Sequence, residues 1–157
     1  AKRGRYTTVD FGVASRAFAS SANFMRLLAR NSSYYKLGRD LVFARSLTFG
    51  LLSPFGSTSQ LDPATNIPLA ERFFSGGANS HRGFPENQAG PRDFVTGFPI
   101  GGKAVLTNNL ELRFPLLGDN FGGVLFHDAG NVYSGASRIS FRWSQRDLRD
   151  FDYMVHA

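Results

Sequence analysis

The sequence contains no cysteine, which excludes a disulfide framework, a thiolate metal site and thiol redox chemistry. Long apolar runs are missing too. A membrane-spanning helix needs roughly 18 or more consecutive apolar residues, and stretches such as Leu41–Ala44 and Val124–Phe126 are far shorter. Also absent is the basic start followed by an apolar core of about 7 to 15 residues that marks a secretory leader, since Ala1–Arg5 runs straight into Tyr6-Thr7-Thr8-Val9-Asp10. At the other end Asp152–Ala157 reads as a strand just beginning, so both ends predict a piece of a longer chain. Charge is sparse, at 19% of residues, and acidic groups are the scarcer kind: 12 against 18 basic, for a net charge of +6 and a pI near 10.2. Such an excess would suit a polyanion, but the basic residues are scattered from Lys2 to Arg149 and form no patch.

What is abundant is phenylalanine and glycine, 16 and 17 in 157 residues, a composition of strands and sharp bends in a chain long enough for one domain. Residues 103–115 alternate with a period of two: Ala104, Leu106, Leu110, Leu112 and Phe114 fall on one face, interrupted by Asn108. Lys103, Val105, Thr107, Asn109, Glu111 and Arg113 fall on the other. Residues 5–18 repeat the pattern, with Thr7, Val9, Phe11, Val13 and Ala17 opposed to Tyr6, Thr8, Asp10, Gly12 and Arg16. Strands of about 12 residues are long for a soluble sheet, where the mode is about 5 to 6, and suit a tilted bilayer span of about 9 to 11. Segments 24–36 and 39–52 predict a hairpin around Leu37-Gly38-Arg39-Asp40. There Arg45 shares a parity with Leu41, Phe43, Leu47 and Phe49, which leaves room for a bulge. Segment 122–134 sets Val124, Phe126 and Asp128 against Leu125, His127 and Ala129. The sequence thus predicts an all-β, antiparallel chain of five strands.

Segment 53–102 breaks this rhythm. It holds Pro54, Pro63, Pro68, Pro85, Pro91 and Pro99, six of the seven prolines, and eight of the 17 glycines. A connection of that length is expected to be functional or disordered. Its middle, Phe73-Phe74-Ser75-Gly76-Gly77-Ala78-Asn79-Ser80-His81-Arg82-Gly83-Phe84, is too aromatic for a disordered linker, so something must bury those rings.

Three motifs in order carry a resemblance. Phe74-Ser75-Gly76-Gly77, Arg82-Gly83-Phe84 and Gly90-Pro91 resemble the signature loop of the barrel-assembly superfamily of outer-membrane proteins, the BamA/TamA type with a bacterial surface antigen barrel domain. Gly101-Gly102-Lys103 with Asn109-Leu110-Glu111-Leu112-Arg113-Phe114-Pro115 is similar to that family's next strand, and Phe126-His127-Asp128-Ala129-Gly130-Asn131-Val132 to its following one. His81 stands where the family commonly has a hydrophobic residue.

The resemblance implies that residues 1–157 supply about five strands of a sixteen-stranded transmembrane barrel. In it 53–102 folds back into the lumen as the signature loop, shaped by Gly76, Gly77, Gly90 and Pro91, while 135–152 forms a surface loop. It also implies a bacterial outer-membrane location and a parent that inserts, assembles or translocates other outer-membrane proteins without a cofactor and without catalysis. The implied partners are unfolded outer-membrane clients, the lipid bilayer with its lipopolysaccharide, and accessory lipoproteins docked on periplasmic repeats; nucleic acid is not among them. An arginine carried into a narrow lumen loses water and needs acceptors for its five N–H groups. Arg82 is therefore expected to bond Asp128, Glu111 or both, and the resemblance adds an aromatic neighbour at Phe126. Gly83 is expected to supply a positive-φ turn and Phe84 to pack on the lumen wall. A structural clamp and a direct part in client insertion both fit Arg82.

Other readings compete. A two-partner secretion translocator, a barrel appended to a lipase domain, a passive porin-like channel, and a soluble carbohydrate- or nucleic-acid-binding sandwich all share parts of the pattern. His127-Asp128 as a base with its orienting acid is disfavoured because adjacent strand residues point to opposite faces. His81, His127 and His156 fit no metal-ligand spacing. Phe98-Pro99-Ile100-Gly101-Gly102-Lys103 lacks the helix a phosphate loop requires. Phe141-Arg142-Trp143-Ser144-Gln145-Arg146 fits an aromatic and basic belt at a membrane surface, with Ser144 able to cap a helical turn over residues 144–148.

Overall fold

The computed structural model describes residues 3–117, 121–142 and 153–157. One antiparallel sheet contains β1 (Gly4–Ala14), β2 (Phe24–Lys36), β3 (Val42–Pro54), β4 (Ala104–Leu117), β5 (Phe121–Tyr133) and β6 (Val155–His156), in sequence order. The first five are 11 to 14 residues long, the length of a tilted bilayer crossing. No described helix is long and apolar enough to cross a membrane. The sixth strand falls at the tail that reads as a strand beginning, and pairs with β5 through Ala129 opposite His156 and Gly130 opposite Val155.

Register and pleat sort the side chains into two faces. Arg30, Thr48 and Thr107 lie side by side on one face, with Ser46 opposite Asn109 and Ala44 opposite Glu111. The long β3–β4 connection covers this face, and the apolar core lies between them: Phe24, Leu28, Leu52, Val105 and Val132 from the sheet meet Ile67 and Phe73 from the connection. Gly50 makes the close approach possible, because a Cβ there would sit 2.8 Å from the Phe73 ring and 2.7 Å from Val105. The opposite face carries Val9, Phe11, Leu27, Phe49, Leu106, Leu110, Leu112 and Leu125; Val9, Phe11 and Leu125 are 63%, 67% and 63% exposed. An apolar face of that breadth has lipid as its natural solvent.

Polar groups on this open face pair with one another. Asn31 Nδ2 donates to Thr7 Oγ1 at 2.7 Å, Ser33 Oγ to Asn31 Oδ1 at 3.1 Å, and Arg45 Nε to Asn108 Oδ1 at 3.0 Å. Such pairing is what a medium without hydrogen-bonding solvent demands. The Asn108 that interrupts the apolar alternation is thus the partner of Arg45.

Several local expectations are corrected. The first strand ends at Ala14, not 18, because Ser15 Oγ accepts from Ala17 N at 3.2 Å and opens a 3-10 turn over Arg16–Phe18. The second hairpin is closed across Leu37 and Leu41, Leu37 N donating to Leu41 O at 2.9 Å, so β3 begins at Val42 instead of 39. Pairing through β3 is continuous and Arg45 needs no bulge; the register shift lies at Pro115/Leu117 in β4, where proline removes a ladder donor. The helical turn expected over 144–148 lies outside the described residues.

Candidate functional site

The β3–β4 connection is ordered by its own short bridges, Phe73 with Gly102, Ser75 with Ala89, Gly77 with His81 and Arg92 with Pro99. Two glycines are required by geometry. Gly76 has φ 119°, and a side chain there would run into the carbonyl of Pro85; Gly90 has φ 113°, and a Cβ would lie 2.8 Å from that of Val132 on β5. Gly77 also takes a positive φ, 91°, and Pro91 accepts from Ile100 N at 3.0 Å.

These bridges present Arg82 to the covered face of β4 and β5. Its Nε donates to Asp128 Oδ2 at 2.8 Å and its Nη2 to Asp128 Oδ1 at 2.7 Å, a two-pronged fork, while Nη1 donates to Glu111 Oε1 at 2.7 Å. The Arg82 backbone N–H adds a 2.9 Å bond to Asp128 Oδ2. The guanidinium carbon lies 3.9 Å from the Phe126 ring centroid, within cation–π range. Asn109 Nδ2 completes the Asp128 shell at 2.8 Å and also donates to Ser80 O at 2.5 Å. The Asp128 side chain is 0% exposed, so four donated hydrogen bonds replace its lost water. Period-two alternation explains the convergence: Asn109 pairs with Asp128 and Glu111 with Phe126 in register, all four on the covered face.

Gly83 departs from expectation. Gly83 is not among the positive-φ residues. Its need is for space, since a Cβ would lie 2.7 Å from that of Ala157 and 3.3 Å from His81 Cε1. Phe84 meets His81 edge-on at 5.2 Å between ring centroids, a contact inside the loop. His127 points to the open face and Asp128 to the covered one, so they form no acid–base pair.

Three further residues take parts that the sequence reading did not give them. Asn109 lay on the polar parity of β4, and that parity was signal enough to find it. His81 is wholly buried, Nε2 being 3.1 Å from Val155 O. Arg72 donates to the carbonyls of Ile67 at 3.0 Å, Ile100 at 3.1 Å and Ala64 at 2.5 Å, stapling three loop segments. Burial holds its guanidinium below its ordinary pKa. Lys103, donating to Pro63 O at 2.9 Å, is lowered first by burial and then by the charge of Arg72.

Glu111 also takes Arg113, at 2.5 Å from Nη2, but the Arg113 side chain is 51% exposed. Arg113→Ala is expected to change barrel stability by less than about 1 kcal/mol, as exposed ion pairs do. A shift of the denaturant midpoint comparable to that of an Arg82 variant would assign Arg113 to the clamp itself. Among the described residues no group of three or more His, Cys, Asp or Glu gathers as a metal centre.

A sheet with one apolar open face and one polar face, covered by a long connection whose arginine is pinned on a buried aspartate, is a segment of a transmembrane antiparallel β-barrel. The chain matches the Omp85 superfamily domain over residues 1–151 and belongs to that superfamily of outer-membrane barrels. It is similar to the sorting and assembly machinery component 50 homolog of Bos taurus, 36% identical over 101 residues, covering 59% of this chain and 20% of that protein. A SAM50-like protein of Schizosaccharomyces pombe is 34% identical over 73 residues, covering 46% of this chain and 15% of that protein. The chain therefore spans about a fifth of the length of these relatives or less. In fold it resembles the crystal structure of BamA from Haemophilus ducreyi lacking POTRA domains 1–3, with a TM-score of 0.67 and 21% identity, over 84% of this chain and 26% of that one.

Proposed function

We propose that this chain is the part of a bacterial outer-membrane assembly barrel that holds the signature loop inside the lumen, in a parent that inserts or assembles other outer-membrane proteins. The observation that carries the reading is the Arg82 fork, which ties the loop to β4 and β5 and to no other described strand. A loop seated on β2 to β5 and pinned to the last two of them braces one side of the wall and leaves the rest free to move while a client passes. Residues 1–157 then contribute consecutive strands and the lumenal loop to a sixteen-stranded barrel. Its partners are unfolded outer-membrane clients, the bilayer with its lipopolysaccharide, and accessory lipoproteins held by repeats elsewhere in the parent. No catalytic step or cofactor enters this reading. The apolar core shared by loop and sheet favours it over a passive porin, whose lumen stays open.

The test has two arms in the full-length parent. In membranes, Arg82→Cys with Asp128→Cys is expected to cross-link on oxidation, and Arg82→Cys with Leu112→Cys, which faces outward, is not. In cells depleted of the native protein, the parent carrying Arg82→Ala is expected to leave outer-membrane clients unassembled. Normal client assembly by that variant at normal abundance would overturn the assembly role of the loop, and equal cross-linking of the two pairs would overturn its placement.

A further inference from the structure

On β1 to β5 the carboxylates Asp10, Glu111 and Asp128 all have the covered parity, so the open face of these strands carries no acid. It does carry two arginines. Arg5 on β1 and Arg45 on β3 both stand opposite Ser33 on β2, in one row across three strands. Their Cα atoms are two ladder spacings apart, about 9 to 10 Å. Both arginines are exposed, while Ser33 between them is only 4% exposed, as a small side chain under two long ones should be.

Among the described residues neither arginine makes an ion pair, and Arg45 spends only its Nε, on Asn108 Oδ1 at 3.0 Å. The Nη groups of Arg45 and the whole guanidinium of Arg5 are left without an acceptor among these residues. Arg45 is flanked by β2 and β4, so both strands that could have given it a carboxylate are in place. A cation on a lipid-facing surface is costly without a counter-charge. Depth along the strand decides which part of the bilayer can supply one. Arg45 is the fourth residue of β3, counted from the Leu37–Leu41 turn. Three residues at about 3.3 Å each, tilted by about 35 to 45°, place it about 7 to 8 Å from the strand end, where a long cationic side chain reaches the headgroups. The next row toward the turn is aromatic: Tyr35 stands opposite Phe43 with ring centroids 6.4 Å apart, and Tyr35 is 51% exposed. A tyrosine so placed marks the membrane–water boundary. In the turn itself Arg39 and Asp40 offset each other.

We propose that Arg5 and Arg45 form an outward docking site for the phosphate of a glycerophospholipid, in the leaflet at the short-turn end. Phosphate oxygens accept charge-assisted hydrogen bonds from both guanidinia, which acyl chains cannot do. The inference rests on the lipid-facing side of the sheet and is independent of the client role.

The full-length parent in detergent micelles is titrated with phosphatidylglycerol and followed by native mass spectrometry, with the thermal midpoint showing that each variant is folded. Glutamine at position 45 keeps an N–H donor for Asn108. Binding is expected to weaken about 5-fold in Arg5→Gln and in Arg45→Gln, and about 30-fold in the double variant. Arg30→Gln, which removes the same charge from the covered face of β2, is expected to bind as the native protein does. Equal weakening in Arg30→Gln would make the effect one of net charge and overturn the site, as would native affinity in the double variant. Displacement of the bound lipid by inorganic phosphate would overturn the phospholipid as its occupant.

Discussion

Arg82→Ala is expected to lower the unfolding free energy of the full-length barrel by about 3 to 5 kcal/mol, the usual result of leaving a buried ion without its partner. The loss concentrates on Asp128, which is 0% exposed and would keep only Asn109 and the residue 82 backbone N–H. Glu111 retains Arg113 and suffers less. The measurement is the temperature or denaturant concentration at which the purified parent loses its folded, fast-migrating form in electrophoresis. Arg82→Lys should fall between native and alanine, since an ammonium is a point charge and cannot reproduce the fork onto Asp128 together with the bond to Glu111. Adding Asp128→Asn to Arg82→Ala should recover part of the loss, because the uncompensated charge is gone. If the alanine variant unfolded where the native protein does, the clamp would contribute nothing to stability and the strut reading would lose its physical basis.

The parts of this site that could be read from sequence follow from the two-residue period of a strand. Once Leu110 and Leu112 are assigned to lipid, Glu111, Asn109, Phe126 and Asp128 have one face left to them, and an arginine from a glycine-rich connection has few other carboxylates to meet. Alternation fixes which way a side chain points, but not where a strand stops. The end of β1 is set by the hydroxyl of Ser15 turning the chain, and the start of β3 by a hydrogen bond across Leu37 and Leu41, both weaker signals than an apolar run.

Residues whose roles come from long-range packing were hidden. Nothing next to Arg72 in sequence marks it as a donor to the carbonyls of Ala64, Ile67 and Ile100, which only the folded loop brings together. Gly83 looks like a turn glycine beside two large side chains, yet what constrains it is Ala157, contributed by the far end of the chain. Nothing next to His81 in sequence marks the carbonyl it serves, that of Val155, which is 74 positions away.

The loop's second anchor is apolar, and Phe73→Ala is expected to cost about 3 to 5 kcal/mol, the range for truncating a buried phenylalanine to alanine. Phe73 is 6% exposed, sits against Val105 in the groove left by Gly50, and has Arg26 over its ring at 5.3 Å. Its backbone also pairs with Gly102, N to O at 2.9 Å and O to N at 3.0 Å, so the side chain is held in place before any neighbour can relax into the space it would vacate. The clamp at Arg82 and the plug at Phe73 act on different pairs of strands, β4 with β5 for one and β3 with β4 for the other. Their variants should therefore differ in pattern as well as size. Phe73→Ala should expose the stretch between β3 and residue 73 to protease while the cross-link between positions 82 and 128 still forms; Arg82→Ala should leave that stretch protected. Phe94→Ala and Phe98→Ala, at positions 81% and 71% exposed, should shift stability by no more than about 0.5 kcal/mol. Equal protease protection in Phe73→Ala and native protein, at equal denaturant midpoints, would mean that Arg82 alone seats the loop.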